Sequence, residues 1–151
     1  MRNSLGSAFT SEQDSPGFML WRVTNRWQAI IRVALQPLDL THVQYVLLAA
    51  LVWADKPDAI MQIELAQRTQ VDKMMTSQVL RALEAKGLIE RRPHPSDRRA
   101  RALAVTPAGA SLARRASRAV EAADAAFFGL EASRRRTFTQ HLVSLDERSH
   151  P

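Results

Sequence analysis

Asp72 to Thr106 read DKMMTSQVLRALEAKGLIERRPHPSDRRARALAVT, and this stretch decides the fold. Asp72 offers a carboxylate to the free N–H groups of a first helical turn, so a helix is expected from there to Lys86. Gly87 supplies the left-handed stop. Leu88 to Arg92 and Arg101 to Val105 have strand character; Leu103 and Val105 alternate with smaller neighbours, as in a half-buried strand. Pro93-His94-Pro95-Ser96 continues neither element and must bend. The sequence therefore predicts a helix running into a hairpin whose tip is basic. From Lys86 to Arg101 there are six cations (Lys86, Arg91, Arg92, Arg98, Arg99, Arg101) against Glu90 and Asp97. Such a helix and wing suit a DNA groove and the phosphates beside it.

Outward from this centre, both flanks read as helix. Pro16-Gly17 opens a segment in which Leu20, Val23, Trp27, Ile30/Ile31 and Ala34 recur at helical spacing, and Pro37 ends it. Thr41-His42-Val43-Gln44 has the form of a capping box before a second helix lined by Val43, Val46, Leu47, Ala50 and Leu51. Lys56-Pro57-Asp58 is a break. Ala59 to Met61 suit one short strand, and Glu64 to Thr69 a short third helix. Thr106-Pro107 caps a long helix to about Phe128, with Leu112, Ala116, Ala119, Val120, Ala123 and Phe127 as its stripe. Gly129 breaks it, and Phe138, Leu142 and Leu145 mark a last helix.

The expected fold is mainly α with a small β-wing: a winged helix-turn-helix core flanked by N- and C-terminal helices. Its parts are a flexible tail at 1–15, a first dimerisation helix at 16–40, the winged core at 41–106, C-terminal dimerisation helices at 107–147, and a short tail at 148–151. The terminal helices carry more apolar face than a winged helix of this size needs. Burial against a second copy is the natural use, and two-fold homodimers are the commonest oligomers.

Composition narrows the functions. The 151 residues suggest one domain, and 46% are apolar, enough for a core. A net charge of +6 favours polyanionic partners. With no Cys, disulfides, thiol redox sensing and Cys-ligated zinc are excluded. The first fifteen residues lack the apolar core of a secretory signal, and no apolar run approaches the roughly 18 to 20 residues of a membrane span. A cytoplasmic chain is expected. There is no Gly-rich phosphate loop and no nucleophile elbow, and the four His (42, 94, 141, 150) lack metal spacing. No enzyme, metal site or cofactor is expected.

On a helical wheel of Lys73 to Lys86, Met75, Val79, Ala82, Leu83 and Lys86 share the arc expected to be buried. Lys73, Met74, Ser77, Gln78, Leu80, Arg81 and Glu84 lie on the far side. That mixture suits base reading, with Arg for guanine, Gln for adenine and an apolar group for the thymine methyl; an ordinary solvated helix face carries the same residues. Lys73 is placed to meet phosphate. On the wing, Arg99 and Arg101 are expected on one side, where an arginine can enter a narrow minor groove. Asp97 is expected to pair with a neighbouring arginine and so fix the tip. His94 reads as a turn residue or a phosphate contact. The wing holds no Phe, Tyr or Trp, so single-stranded RNA is disfavoured.

Asp97, Arg99, Leu103 and Thr106 in the wing resemble the Asp-x-Arg signature of the MarR family of bacterial transcription regulators, with Val105 in place of the usual Leu. Asp72-Lys73, Ser77, Leu83, Lys86-Gly87-Leu88-Ile89 and Arg91 are similar to its recognition helix and strand. Leu40-Thr41, Gln44 and Leu47 are similar to its second helix. The resemblance covers roughly residues 16–145. It implies a homodimer on a pseudo-palindromic double-stranded operator, with half-sites about 10 base pairs apart. Arg99 would enter the minor groove with Asp97 as its salt-bridging support. Ser77, Gln78 and Arg81 would face the major groove; Lys73, Met74, Arg98 and Arg101 complete the candidate DNA-binding residues. Gln78 stands where many members have Arg, so the preferred operator need not be theirs. The implied activity is a repressor relieved by a small aromatic or phenolic ligand, for which Trp21, Trp27, His42 and Tyr45 are candidates, though core packing explains each of them too. The rival reading is a winged-helix protein-interaction module with only non-specific DNA affinity.

Overall fold

A computed structural model describes residues 5–54 and 59–148. The expected break at Lys56-Pro57-Asp58, and His150, lie outside these residues. Six α-helices and one hairpin are described: α1 (Pro16–Leu35), α2 (His42–Val52), α3 (Gln62–Thr69), α4 (Lys73–Ala85), β1 (Ile89–Pro93), β2 (Arg101–Val105), α5 (Pro107–Phe128) and α6 (Ala132–Arg148). Within the stretch expected to be a tail, Glu12–Asp14 forms a 3-10 turn, and Glu12 meets Arg22 of α1 at 3.0 Å.

α1, α2, α4 and α5 each start where a side chain caps the first turn. Thr41 Oγ1 accepts from Gln44 N (3.2 Å) while Gln44 Oε1 accepts from Thr41 N (3.2 Å), the reciprocal box read from the sequence. Asp72 Oδ1 accepts from both Met74 N (2.9 Å) and Met75 N (3.1 Å). Thr106 Oγ1 accepts from Gly109 N (3.0 Å) and donates to the Gly87 carbonyl (2.7 Å). That one hydroxyl therefore joins the end of α4 to the start of α5.

α2 is apolar on almost every side and is the central helix. Leu47, Leu48 and Leu51 are buried where α2 packs against α1, α3, α4, α5 and β2. Ile31 and Leu35 from α1, Leu65 from α3, Leu80 and Leu83 from α4, and Ile89 and Leu103 from the hairpin complete the core. The strands pair antiparallel, Ile89 opposite Val105 and Pro93 opposite Arg101. The strand expected at Ala59 to Met61 is reduced to one bridge. Leu103 N donates to the Ile60 carbonyl (2.8 Å), and no longer ladder forms there.

Gly109 allows a close approach of two backbones. A Cβ there would lie 2.0 Å from the Leu88 carbonyl oxygen. The first turn of α5 can therefore sit directly on the chain entering β1, and Thr106 N donates to that same carbonyl (3.1 Å).

Two apolar faces stay open. On α1, Phe18, Leu20, Val23 and Ile30 are exposed, although the sequence stripe included three of them. α6 buries none of its residues, and Phe138, Leu142, Val143 and Leu145 face outward. Among the described residues no single helix is long and apolar enough to cross a membrane.

Candidate nucleic-acid interface

α4 presents its outer face on a rigid mount. The expected phase of this helix needs one correction. Leu80, placed on the outer face by the wheel, is 0% exposed, whereas Met75, placed inside, is 45% exposed. The buried side is Thr76, Leu80 and Leu83, about 75° round from the centre of the expected arc, with Leu83 common to both. Thr76 explains the shift. Its hydroxyl donates to the Asp72 carbonyl (2.9 Å), so a polar residue that looks like surface is satisfied inside the core. Lys86, also placed inside, sends its amine out to Asp39 of the α1–α2 turn.

With this phase the outer face is open. Lys73, Met74, Gln78 and Arg81 are all exposed and Ser77 half-exposed. Met74, at 72% exposure, is an apolar side chain with no intramolecular reason to be there. Beside Lys73, Gln62 and Ile63 from the first turn of α3 line a depression of about 210 Å³. The sequence reading missed both; the only signal for them was an exposed Ile at the start of a short helix.

The wing arginines divide into two kinds. Arg91 is tied down: its guanidinium donates to Gln62 Oε1 (3.3 and 3.2 Å) and meets Glu84 at 3.4 Å, joining β1 to α3 and α4. Arg92 pairs with Glu90. Arg98, Arg99 and Arg101 are exposed, and among the described residues none of the three makes an ion pair.

The tip is fixed by its backbone. Asp97 Oδ1 accepts from Arg99 N (2.9 Å), Ala100 N donates to the Asp97 carbonyl (3.1 Å), and His94 N donates to the Ala100 carbonyl (3.0 Å). Asp97 thus supports the wing as expected, but through a main-chain N–H and not through an arginine side chain. A short acceptor two residues before a turning N–H makes this local bond readily. His94 is a pin. Ser96 N donates to its Nδ1 (3.2 Å), so Nε2 carries the proton and donates to the Ala59 carbonyl (3.1 Å). This favours the turn role for His94 over a phosphate contact.

The effector candidates do not form one pocket in the single chain. Trp27 and His42 stack edge to face with ring centres 5.1 Å apart. Trp27 Nε1 donates to Asp124 Oδ1 of α5 (2.7 Å). Tyr45 is buried with its hydroxyl 3.4 Å from Ser117 Oγ. These are satisfied packing contacts. Trp21 stands apart at 70% exposure. Burial lowers the pKa of His42 and the nearby Arg32 lowers it further, with Asp124 opposing them. None of the four lines the groove of about 740 Å³ beside the α1–α2 turn. Among the described residues there is no cluster of His, Asp and Glu able to hold a metal.

Comparison with known proteins agrees with this geometry. Residues 40–100 match the MarR family model. The uncharacterised HTH-type transcriptional regulator YdcH of Bacillus subtilis is 39% identical over 140 residues, covering 92% of this chain and 95% of its own. The crystal structure of CouR from Rhodococcus jostii, bound to p-coumaroyl-CoA, superposes with a TM-score of 0.82 at 27% identity, over 91% of this chain and 95% of that one. Rv2887 of Mycobacterium tuberculosis in complex with DNA superposes with a TM-score of 0.69 at 32% identity, over 87% and 97%. The matched segment spans the helix-turn-helix and the wing tip, and the similarity extends along the flanking helices: the chain belongs to the MarR family.

Proposed function

We propose that this chain is a sequence-specific double-stranded DNA-binding transcription regulator, acting in the cytoplasm as a homodimer on a pseudo-palindromic operator. The observation that carries this reading is the wing: three exposed arginines that make no ion pair among the described residues, on a tip pinned by Asp97 and His94, beside a recognition helix with an open polar face. A solvated surface has no need of such a rigid mount. A rigid mount lowers the ordering cost when the arginines meet DNA.

The roles follow from placement. Arg99 enters the minor groove next to the half-site. Arg98, Arg101 and Lys73 neutralise phosphates. Met74, Ser77, Gln78 and Arg81 face base edges in the major groove. Apolar α1 and α6 supply the contact between copies. Repression is the favoured outcome, because Rv2887, at 34% identity over 134 residues, is a transcriptional repressor. Relief by a small aromatic ligand is supported by the structure of that protein with salicylic acid and of CouR with p-coumaroyl-CoA.

The test is fluorescence anisotropy with the gene's own upstream intergenic duplex against a scrambled one, at two salt concentrations. The expected result is selective binding that weakens steeply with salt, since each neutralised phosphate releases a counterion. Arg99→Ala should cost about 1–3 kcal/mol of operator binding with an unchanged melting temperature. Absence of binding even at low salt would favour the protein-interaction reading.

A further inference from the structure

We propose that Met74 is an oxidation site through which a hypohalous acid lowers the affinity of this protein for DNA. The switch is one oxygen atom added to a thioether sulfur on the recognition helix. This inference rests on the regulator reading above and adds to it a chemical input.

With Cys absent, the five methionines carry all the sulfur of the chain. A two-electron oxidant therefore meets no thiol first. Among the described residues the methionines differ in access. Met74 is 72% exposed and Met75 45% exposed, whereas Met19 and Met61 are half-buried. Both exposed sulfurs belong to the first turn of α4. The backbone of that turn is fixed by Asp72 Oδ1, which accepts from the N–H groups of Met74 and Met75. Met74, Gln78 and Arg81 follow one another at spacings of four and three, so they share one outward stripe, and all three are exposed. The most open thioether of the described residues thus stands among the side chains assigned to base edges. An apolar side chain there suits a thymine methyl.

The step is an oxygen-atom transfer. The Met74 sulfur loses two electrons and gains an S–O bond. The O–Cl bond of hypochlorous acid breaks, chloride leaves with the electron pair, and the hydroxyl proton passes to water. The product is a methionine sulfoxide, polar where the thioether is apolar. Against a thymine methyl, the new oxygen is stripped of water with no donor to meet it. Against guanine N7 and O6, it sets acceptor against acceptor. DNA affinity falls in either case. The fold stays intact, because Met74 lies outside the core and the Asp72 cap uses its main chain, not its sulfur. The same exposure leaves the sulfoxide open to a reductase, so the change is reversible.

The test treats the full chain with substoichiometric hypochlorous acid. Tryptic peptides are read by mass spectrometry, and affinity for the upstream duplex is measured by anisotropy before and after. We expect Met74 and Met75 to gain oxygen before Met19 and Met61, and bound duplex to protect Met74. Affinity should fall about tenfold with an unchanged melting temperature, and methionine sulfoxide reductase should restore it. Met74→Leu, compared with its own affinity before treatment, should lose about twofold or less. Met75→Leu should respond as the parent does. Earlier oxidation of Met19 or Met61, or full oxidation of Met74 with affinity unchanged, would overturn the switch and leave the regulator reading standing. So would an equal loss in Met74→Leu, which would place the sensitive group elsewhere. A melting temperature that falls with affinity would make the loss one of folding and would equally overturn it. Failure to bind any duplex before oxidant is added would end the regulator reading and the switch with it.

Discussion

Asp97 holds the wing tip through the N–H of Arg99, and this gives a sharp mutational contrast. Asp97→Asn keeps an Oδ1 acceptor and removes a negative charge next to the phosphates, so it should bind operator at least as tightly as the parent. Asp97→Ala loses the acceptor and should weaken binding by about 1 kcal/mol, the net worth of one hydrogen bond. Anisotropy on both variants decides the matter: equal damage from both substitutions would restore the arginine ion pair expected from the sequence. The caps at Thr41, Asp72 and Thr106 are legible in the sequence because each bond spans only two or three residues. The phase of α4 is not, because Thr76 is buried through a hydroxyl bond to the main chain that hydropathy does not report. Nor can composition separate the wing arginines that are tied down (Arg91, Arg92) from those left open (Arg98, Arg99, Arg101), since Glu84 and Gln62 meet Arg91 only in the fold.

Among the elements, the hairpin and α5 meet at a close junction. Thr106 bonds Gly87 and Leu88, and Gly109 rests on the Leu88 carbonyl, so wing and long helix behave as one piece. Gly109→Ala should destabilise the protein by about 1–3 kcal/mol, because the added carbon meets main chain that cannot turn aside. Gly17→Ala, where nothing lies within 4 Å, should be neutral or slightly stabilising. Thermal unfolding of the pair separates packing from helix propensity; equal melting temperatures would show that α5 can slide to make room. Element order is readable from period and punctuation, with the ends of α4 and β1 off by a single residue. Residues 59–61 are over-read as a strand because one residue, Ile60, pairs with Leu103 and its neighbours do not.

In the whole molecule, α6 and the outer side of α1 leave large apolar side chains exposed, among them Leu20, Val23, Leu142 and Val143. Their excess of apolar residues is legible in the sequence, since a stripe needs something to cover it. The groove at the α1–α2 turn is not, because Lys86 lies 47 residues beyond Asp39 and joins it only by folding. Leu142→Glu should shift sedimentation equilibrium from dimer towards monomer and weaken operator binding, leaving the winged core folded; a variant that stays fully dimeric would place the interface elsewhere. Since none of the residues of α6 is fully buried within its own chain and pairing of copies would cover them, cellular copy number itself becomes a control variable. At low abundance the paired species grows with the square of expression, so halving synthesis cuts operator occupancy by about fourfold. A promoter governed in this way responds to supply as a threshold, even before any small molecule arrives.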